Sequence, residues 1–476
     1  MKYHNLVWFR NDLRVQDNSA LHFACKNKTD IVSALFIATP KQWLQHNDSP
    51  KKIFFIYQHL ILLKKKLNHL GINLYYHQTD YFKDVIEYIL QFSLKNKVNQ
   101  IFYNYQYEIN EKKRDQLIEK SLLQNNIHTY GFHDSVIFHP KSIKNKFEIT
   151  YKNFSPFRKK IIIKLKKNIP VCYPSPIIRS NSIIQLQPGI EYFNFPFEKI
   201  DLSSFPIGEE IALLRLQNFC KYSVENYVNT RNGLFYNTTS CLSSYLNIGV
   251  LSARQCINYL IYNYPNILYS NYENNWLTQL IWREFYKHLL EGYSLLSKNQ
   301  SNCNWERNII WNHDKHHLFA WKNGITGYPI IDAGMRQLNQ FGWISNRMRM
   351  ITASFLVKHL LIDWRKGEKY FMSKLIDGSL AENNGGWQWI ASVGTDSIPY
   401  FRIFNPILQS QKFDPNCEYI KTMIPELDNT SNNYIHNPIF RIKQNCNKSN
   451  YPKPIINHCT ARKNTLLIFS NARNKK

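Results

Sequence analysis

Two apolar periods alternate over the first 135 residues, and only one of them survives beyond residue 209. Short runs at Leu6–Phe9, Ile31–Ile37, Ile72–Tyr76, Ile101–Tyr103 and Ile127–Tyr130 read as buried strands. Helical patterns lie between them. Over residues 51–69, Ile53, Ile56, Tyr57, Leu60, Leu63 and Leu67 hold one face and Gly71 follows as a stop. Residues 81–94 and 111–123 are likewise helical. Strands alternating with helices predict an α/β domain built on a doubly wound parallel sheet, with ligands at the carboxyl ends of its strands. Its only glycines are Gly71 and Gly131. The glycine fingerprint that lets a backbone approach a dinucleotide pyrophosphate is therefore missing, which argues against a dehydrogenase. The expected organisation is an α/β domain over 1–135, a long connector over 136–205 and an all-α domain over 206–476. The connector is marked by Pro140, Pro156, Pro170, Pro174, Pro176, Pro188 and Pro196, with Pro206 just beyond.

No apolar stretch reaches the roughly 18 residues of a membrane span. The longest candidate, 53–63, is interrupted by Gln58 and His59. Arg10, Asp12 and Arg14 stand where a signal peptide would be apolar, so a cytoplasmic chain is expected. Nine scattered cysteines form no CxxC pair, so no metal or cluster is signalled and reduced thiols are expected. The net charge of +26 suits a polyanion such as nucleic acid. The lesser alternative is drift towards AT-rich codons in a chain full of Lys, Asn, Ile, Tyr and Phe.

Nine of the eleven tryptophans lie between Trp276 and Trp389, ending in the run Asn383-Asn384-Gly385-Gly386-Trp387-Gln388-Trp389. Such a cluster is either a large helical core or a site, where indole faces stack on unpaired bases or a line of rings passes electrons. The paired glycines remove side chains where something needs close access to the backbone. On a helix from Trp276, the residues Gln279, Trp282, Arg283 and Tyr286 share a face. That face suits an aromatic, anionic ligand, or else Arg283 serves a structural carboxylate. A second helix opens at Asn346, read as its cap, with Arg347 and Arg349 on different sides and a core run behind them. The loop Thr239-Ser240-Cys241-Leu242-Ser243 offers hydroxyls and backbone donors of the kind that hold phosphate.

Together these stretches resemble the DNA photolyase and cryptochrome family. The likeness runs through Leu6-Val7-Trp8-Phe9-Arg10-Asn11-Asp12-Leu13-Arg14, Phe102–Glu108, Leu280–Tyr286, Gly327–Ala333, Asn383–Trp389 and Tyr400–Pro406, and so covers essentially the whole chain. It is strongest to bacterial class I photolyases that repair cyclobutane pyrimidine dimers and carry a folate antenna. The resemblance implies a light-dependent carbon–carbon lyase, a monomer, that acts on dimer-containing DNA through reduced, anionic FAD. Tyr227, Thr239, Ser240, Leu242, Ser243, Trp276, Arg283, Asn346, Arg349, Asp377 and Asn383 would surround the FAD, with Asn383 facing the flavin N5 and Arg349 paired with Asp377. Trp387, Trp364 and Trp311 would form an electron relay from flavin to surface. Gln279, Trp282, Met350 and Trp389 would line the dimer pocket, into which the lesion must be flipped (photolyases are named in that rule). Arg231, Arg347 and Arg402 would meet DNA phosphates. His46, Asn110, Glu111 and Lys298 would hold a 5,10-methenyltetrahydrofolate antenna.

Three positions depart from the family pattern. Gln279 stands where a glutamate is usual, Cys241 where arginine is frequent, and Ser379 where a second acid follows Asp377. Gln279 can bond a thymine edge but carries no charge. Among rival readings, a signalling cryptochrome is disfavoured by the short tail after Ala461. Six-four photoproduct repair is disfavoured by Ser345 and Met350, where the family's histidine pair is expected. A purely DNA-binding protein would leave the tryptophan line unexplained.

Overall fold

The computed structural model describes residues 2–179, 190, 193–234, 239–269, 275–301, 303–437 and 450–474. Pro188 of the connector, Cys446 and the last two residues of the tail lie outside them. The chain divides into two compact units. The first comprises residues 1–225, 240–297 and 377–381; the second comprises 226–239, 298–376 and 382–476.

The first unit carries one five-stranded sheet, β1 (His4–Phe9), β2 (Ile31–Ala38), β3 (Asn73–Gln78), β4 (Gln100–Asn104) and β5 (His128–Phe132), in the order β3-β2-β1-β4-β5. Every pairing is parallel, with Trp8 opposite Leu35 on one side and Tyr103 on the other. The doubly wound sheet expected from the alternating periods is thus present, and its order reverses beside β1. Leu6, Trp8, Leu35, Ile37, Ile101 and Tyr103 pack with Val85 and Ile89 of the helix Phe82–Lys95 and with Ile118 and Leu122 of the helix Ile109–Leu123. Burial on both faces explains why β1, β2 and β4 read as apolar runs rather than alternations, whereas the edge strands β3 and β5 are largely half-buried.

The signature after β1 is structural. Arg10 pairs with Asp115 at 2.8 Å, and Asp12 accepts from Asn104 at 2.6 Å. Arg14 and Arg254 both pair with Asp134, and Arg254 also pairs with Asp17 at 3.0 Å. All of these side chains are buried, so each charge is matched by a partner rather than by water.

The proline-marked stretch hides a 14-residue helix, Phe154–Lys167. Pro156 sits in its first turn, where a missing N–H costs nothing, so it does not break the helix. Phe154, Phe157, Ile161 and Leu165 form the buried stripe. Phe157 packs 5.3 Å from Phe285 of the helix Trp276–Gly292.

The second unit is helical. Its core joins the helices Lys315–Asn323, Pro329–Phe341, Asn346–Lys358, Trp364–Lys374 and the C-terminal His458–Asn474 around Trp321, Phe355, Leu356, Trp364, Phe371, Trp387 and Phe469. Asp314, Ser345 and Asp363 cap three of these helices with their side chains. Ser345, not Asn346, is the cap of the Asn346–Lys358 helix: its hydroxyl accepts from the Met348 N–H, and Asn346 is already the first helical residue. Both are capable cap residues, and the extended backbone at Ser345 decides between them.

Candidate active site and cofactor-binding residues

The residues expected around FAD divide over the two units. Ser240, Leu242, Ser243, Trp276, Arg283 and Asp377 belong to the first; Tyr227, Thr239, Asn346, Arg349 and Asn383 belong to the second.

In the first unit, Cys241 takes a left-handed backbone (φ 48°) and turns the chain into the short helix Ser243–Asn247. Leu242 is buried beside it, and the Ser244 hydroxyl is buried without a partner among the described residues. On the helix Trp276–Gly292, Trp276 is buried against Phe219, with ring centres 5.0 Å apart. Gln279, Trp282, Arg283 and Tyr286 are all half-buried, as one shared face requires. Trp282 stacks on Phe154 at 3.5 Å with planes 5° apart, so one indole face is already taken. Arg283 is held by the carbonyls of Ser135 (2.9 Å) and Leu246 (3.2 Å). Lys52 and Asn247 both donate to the Gly378 carbonyl at 2.9 Å, which anchors the segment of Asp377 and Ser379. Arg283, Lys287 and Ser379 help line a polar cavity of about 50 Å³.

Three of the four antenna residues meet in this unit. His46 contacts Asn110 at 3.0 Å and Glu111 at 3.5 Å. His46 and Glu111 line a cavity of about 70 Å³ together with Trp8, Arg10, Lys52 and Arg114, and Asn110 reaches it only through His46. Burial, reinforced by the charge of Glu108, pushes the Glu111 carboxyl up to about 8, and its Oε2 is buried without a partner among the described residues. A neutral carboxyl with one unsatisfied oxygen fits a ligand rich in ring N–H and amino groups, such as a pterin. Lys298 belongs to the second unit and is exposed.

In the second unit, Tyr227 is buried and lies under Arg231 at 5.7 Å. Asn346 approaches the Met350 sulfur at 3.8 Å. Arg349 donates to the Ile344 carbonyl, and Arg347 donates twice to the Asn232 carboxamide oxygen (3.1 and 3.0 Å) while covering Phe413. Burial, and then the positive charges of Arg231 and Arg402, lower the Arg347 pKa. The three arginines expected at DNA phosphates thus share one field, which an anion relieves.

Asn383 donates both to the Glu368 carbonyl (3.0 Å) and to its carboxyl (3.1 Å). These bonds fix the amide and leave its oxygen free to face a ligand. A Cβ placed on Gly386 would meet nothing within 4 Å, so the backbone one turn on borders open space. A fixed amide beside open space is what a flat ring system needs, and the residues fit a flavin. Trp364 and Trp387 are buried in the core, whereas Trp311 and Trp389 are half-buried at its edge. Of the tryptophans left without a role, Trp321 is fully buried, 6.1 Å from Trp387.

Glu368 and Gly367 escape a reading by composition. Trp364-Arg365-Lys366-Gly367-Glu368-Lys369 looks like a solvated charge run, yet Trp364, Gly367, Glu368, Phe371 and Met372 follow helical spacing and are the buried face. That spacing was the available signal. Gly367 is needed because a Cβ there would sit 2.2 Å from the Trp387 ring.

The family described as the FAD binding domain of DNA photolyase matches residues 276–471, and that described as DNA photolyase matches residues 5–175. The deoxyribodipyrimidine photo-lyase of Buchnera aphidicola subsp. Baizongia pistaciae is 53% identical across 98% of both chains. The Escherichia coli protein of that name is 44% identical across 99% of both. The crystal structure of Synechocystis sp. PCC6803 cryptochrome matches with a TM-score of 0.86 at 29% identity, covering 98% of this chain and 99% of the other. The chain belongs to the DNA photolyase family. It is an enzyme, and FAD is the cofactor its helical domain binds. No helix among the described residues is long and apolar enough to cross a membrane.

Proposed function

We propose that this enzyme repairs cyclobutane pyrimidine dimers in DNA under near-ultraviolet or blue light, as a cytoplasmic monomer with a folate antenna. The observation that carries this reading is identity along the full chain to relatives named deoxyribodipyrimidine photo-lyase. The proposed division of labour gives antenna binding to residues 1–135, and flavin binding and catalysis to residues 206–476.

Bound FAD, reduced and anionic, supplies the light-driven electron that opens the two carbon–carbon bonds of the dimer and receives it back. The chain's own residues bind, orient and exclude water. Asn383, locked by Glu368, presents its amide oxygen to the flavin edge. Ser240, Leu242, Ser243 and Thr239 hold the pyrophosphate, and Arg283 and Trp276 hold the remaining flavin surface. Gln279 hydrogen-bonds the lesion, and Trp282, Met350 and Trp389 line an apolar pocket for the extruded bases. Arg231, Arg347 and Arg402 bind phosphates, so affinity falls with salt. Trp311, Trp364 and Trp387 carry electrons inward when the cofactor is oxidised. His46, Asn110, Glu111 and Lys298 hold the folate, with Glu111 as a neutral hydrogen-bonding group.

The test is direct. Purified holoenzyme with reduced flavin, given an oligonucleotide containing a thymine dimer, restores unmodified DNA only under blue light. Equal restoration in darkness, or none in light, overturns the proposal, and the second result favours a photoreceptor without repair.

A further inference from the structure

The helix Phe154–Lys167 carries Arg158, Lys159, Lys160, Lys164, Lys166 and Lys167, and no acidic residue in its 14 positions. Its buried stripe of Phe154, Phe157, Ile161 and Leu165 turns the opposite side outward. Lys159, Lys160, Lys166 and Lys167 stand exposed on that side, and none of them pairs with a carboxylate among the described residues. Helix stability does not call for this charge. Cations complement the carbonyl end of a helix, which accounts for Lys164, Lys166 and Lys167 in the last turn. Lys159 and Lys160 sit in the second turn, beyond that effect, and like charges one turn apart repel. Burial, and then the charge of Lys160, lowers the Lys164 pKa. Two contacts fix where the lysine face stands. Phe154 stacks on Trp282 at 3.5 Å, and the Arg158 Nε donates to the Thr278 hydroxyl at 3.3 Å. Both partners lie on the helix Trp276–Gly292, which also carries Gln279.

We propose that Lys159, Lys160, Lys166 and Lys167 form a docking surface of the first unit for undamaged duplex DNA flanking the lesion. This rests on the reading of Gln279 and Trp282 as lesion contacts, because the helix that carries those two holds the lysine face in place. From Lys159 to Lys167 the helix advances about 12 Å, the axial length of three to four nucleotides of one B-DNA strand at about 3.4 Å each. An ammonium meets a phosphate as a compact point charge and reads no base. The surface therefore adds affinity for damaged and undamaged duplex alike and leaves lesion selectivity to the pocket. An acidic protein is the poorer fit. Protein interfaces are depleted in lysine and need aromatic or arginine anchors at their centre, whereas Ile163 is the apolar side chain exposed among these lysines. Lys166, which lies 4.1 Å over the exposed ring of Tyr269, marks one edge of the face.

The test measures binding of holoenzyme to DNA in darkness over a series of salt concentrations. The probes are a duplex of about 30 base pairs, with and without a central thymine dimer, and a dimer-containing single strand of about five nucleotides that fills the pocket alone. The fourfold variant Lys159→Gln, Lys160→Gln, Lys166→Gln and Lys167→Gln is expected to bind both duplexes about tenfold or more weakly at low salt, and to lower the slope of log affinity against log salt by about 2–4. It should bind the short strand as the parent does. The matching arginine variant keeps the charge and recovers the slope. A control variant, Lys28→Gln, Lys95→Gln, Lys113→Gln and Lys120→Gln, removes the same charge from other exposed positions of the first unit and should keep the parental slope. Parental duplex affinity and slope in the first variant overturn the proposal. An equal loss in the control also overturns it, because net charge then acts without a docking face, and so does an equal loss on the short strand. Failure of the repair reading shows separately, as a parental enzyme that binds the dimer strand no better than its undamaged counterpart and restores nothing in blue light.

Discussion

Replacing Glu368 by glutamine isolates what it costs to hold Asn383 with a carboxyl. Glu368 is 3% exposed, and no cation contacts its carboxyl among the described residues. Burial lifts its pKa from 4.5 to about 7, against a smaller downward pull from the Asn383 amide. The folded chain therefore keeps this group neutral over a range in which the unfolded chain has already ionised it. The stability that follows is fully present below about pH 4.5 and is lost as pH rises through about 7. At about 1.4 kcal/mol for each pH unit separating the two states, ionisation above pH 7 costs up to roughly 3 kcal/mol. Glutamine retains an acceptor oxygen for Asn383 and never ionises. Glu368→Gln should match the parent near pH 4.5 and gain up to roughly 3 kcal/mol by pH 8. Denaturant midpoints of the flavin-free chain, taken at pH steps across this window, measure the gap. Midpoints of parent and variant that run parallel from pH 5 to pH 8 would refute the reasoning, because Glu368 would then titrate alike folded and unfolded.

The other predictions concern the same helical core. Gly367→Ala puts a methyl 2.2 Å from the Trp387 ring and 2.6 Å from Leu356, so it should destabilise by about 1–3 kcal/mol and alter the near-ultraviolet circular dichroism of the tryptophans; an unchanged spectrum and melt would contradict it. Lys358 is fully buried, its ammonium held by Ser392 at 3.0 Å and by the Phe469 ring at 3.8 Å, and burial drives its pKa from 10.5 to about 7. The folded state thus loses stability as pH falls from about 10.5 to about 7, so Lys358→Met should be stabilising near neutral pH by a few kcal/mol, with an advantage that disappears towards pH 10.5 in pH-dependent melts. Trp364→Phe should slow photoreduction of oxidised flavin while sparing repair once the flavin is reduced chemically; loss of both would reject its role as a relay.

Period and spacing determined the fold class from sequence alone. Apolar strand runs between helical stripes admit little besides a doubly wound sheet, and five parallel strands lie where the runs predicted them, lengthened by a residue or two. The half-buried face of Gln279, Trp282, Arg283 and Tyr286 followed from helical spacing in the same way. Family membership was legible too, because long motifs carry it from Leu6 to Pro406. What local pattern could not decide was the partner of each charge. Arg10, Asp12 and Arg14 are polar in sequence, yet the fold buries Arg10 and Arg14 in ion pairs with Asp115 and Asp134 and gives Asp12 the Asn104 amide. Glu306 and Arg365 lie 59 residues apart, and only the packing of the helical core brings their charges together at 2.7 and 3.0 Å. Hydrophobic periodicity acts over neighbouring turns and is written locally in the chain. Electrostatic pairing and the pKa shifts that burial imposes act across tertiary contacts, and they exist only once the fold has closed.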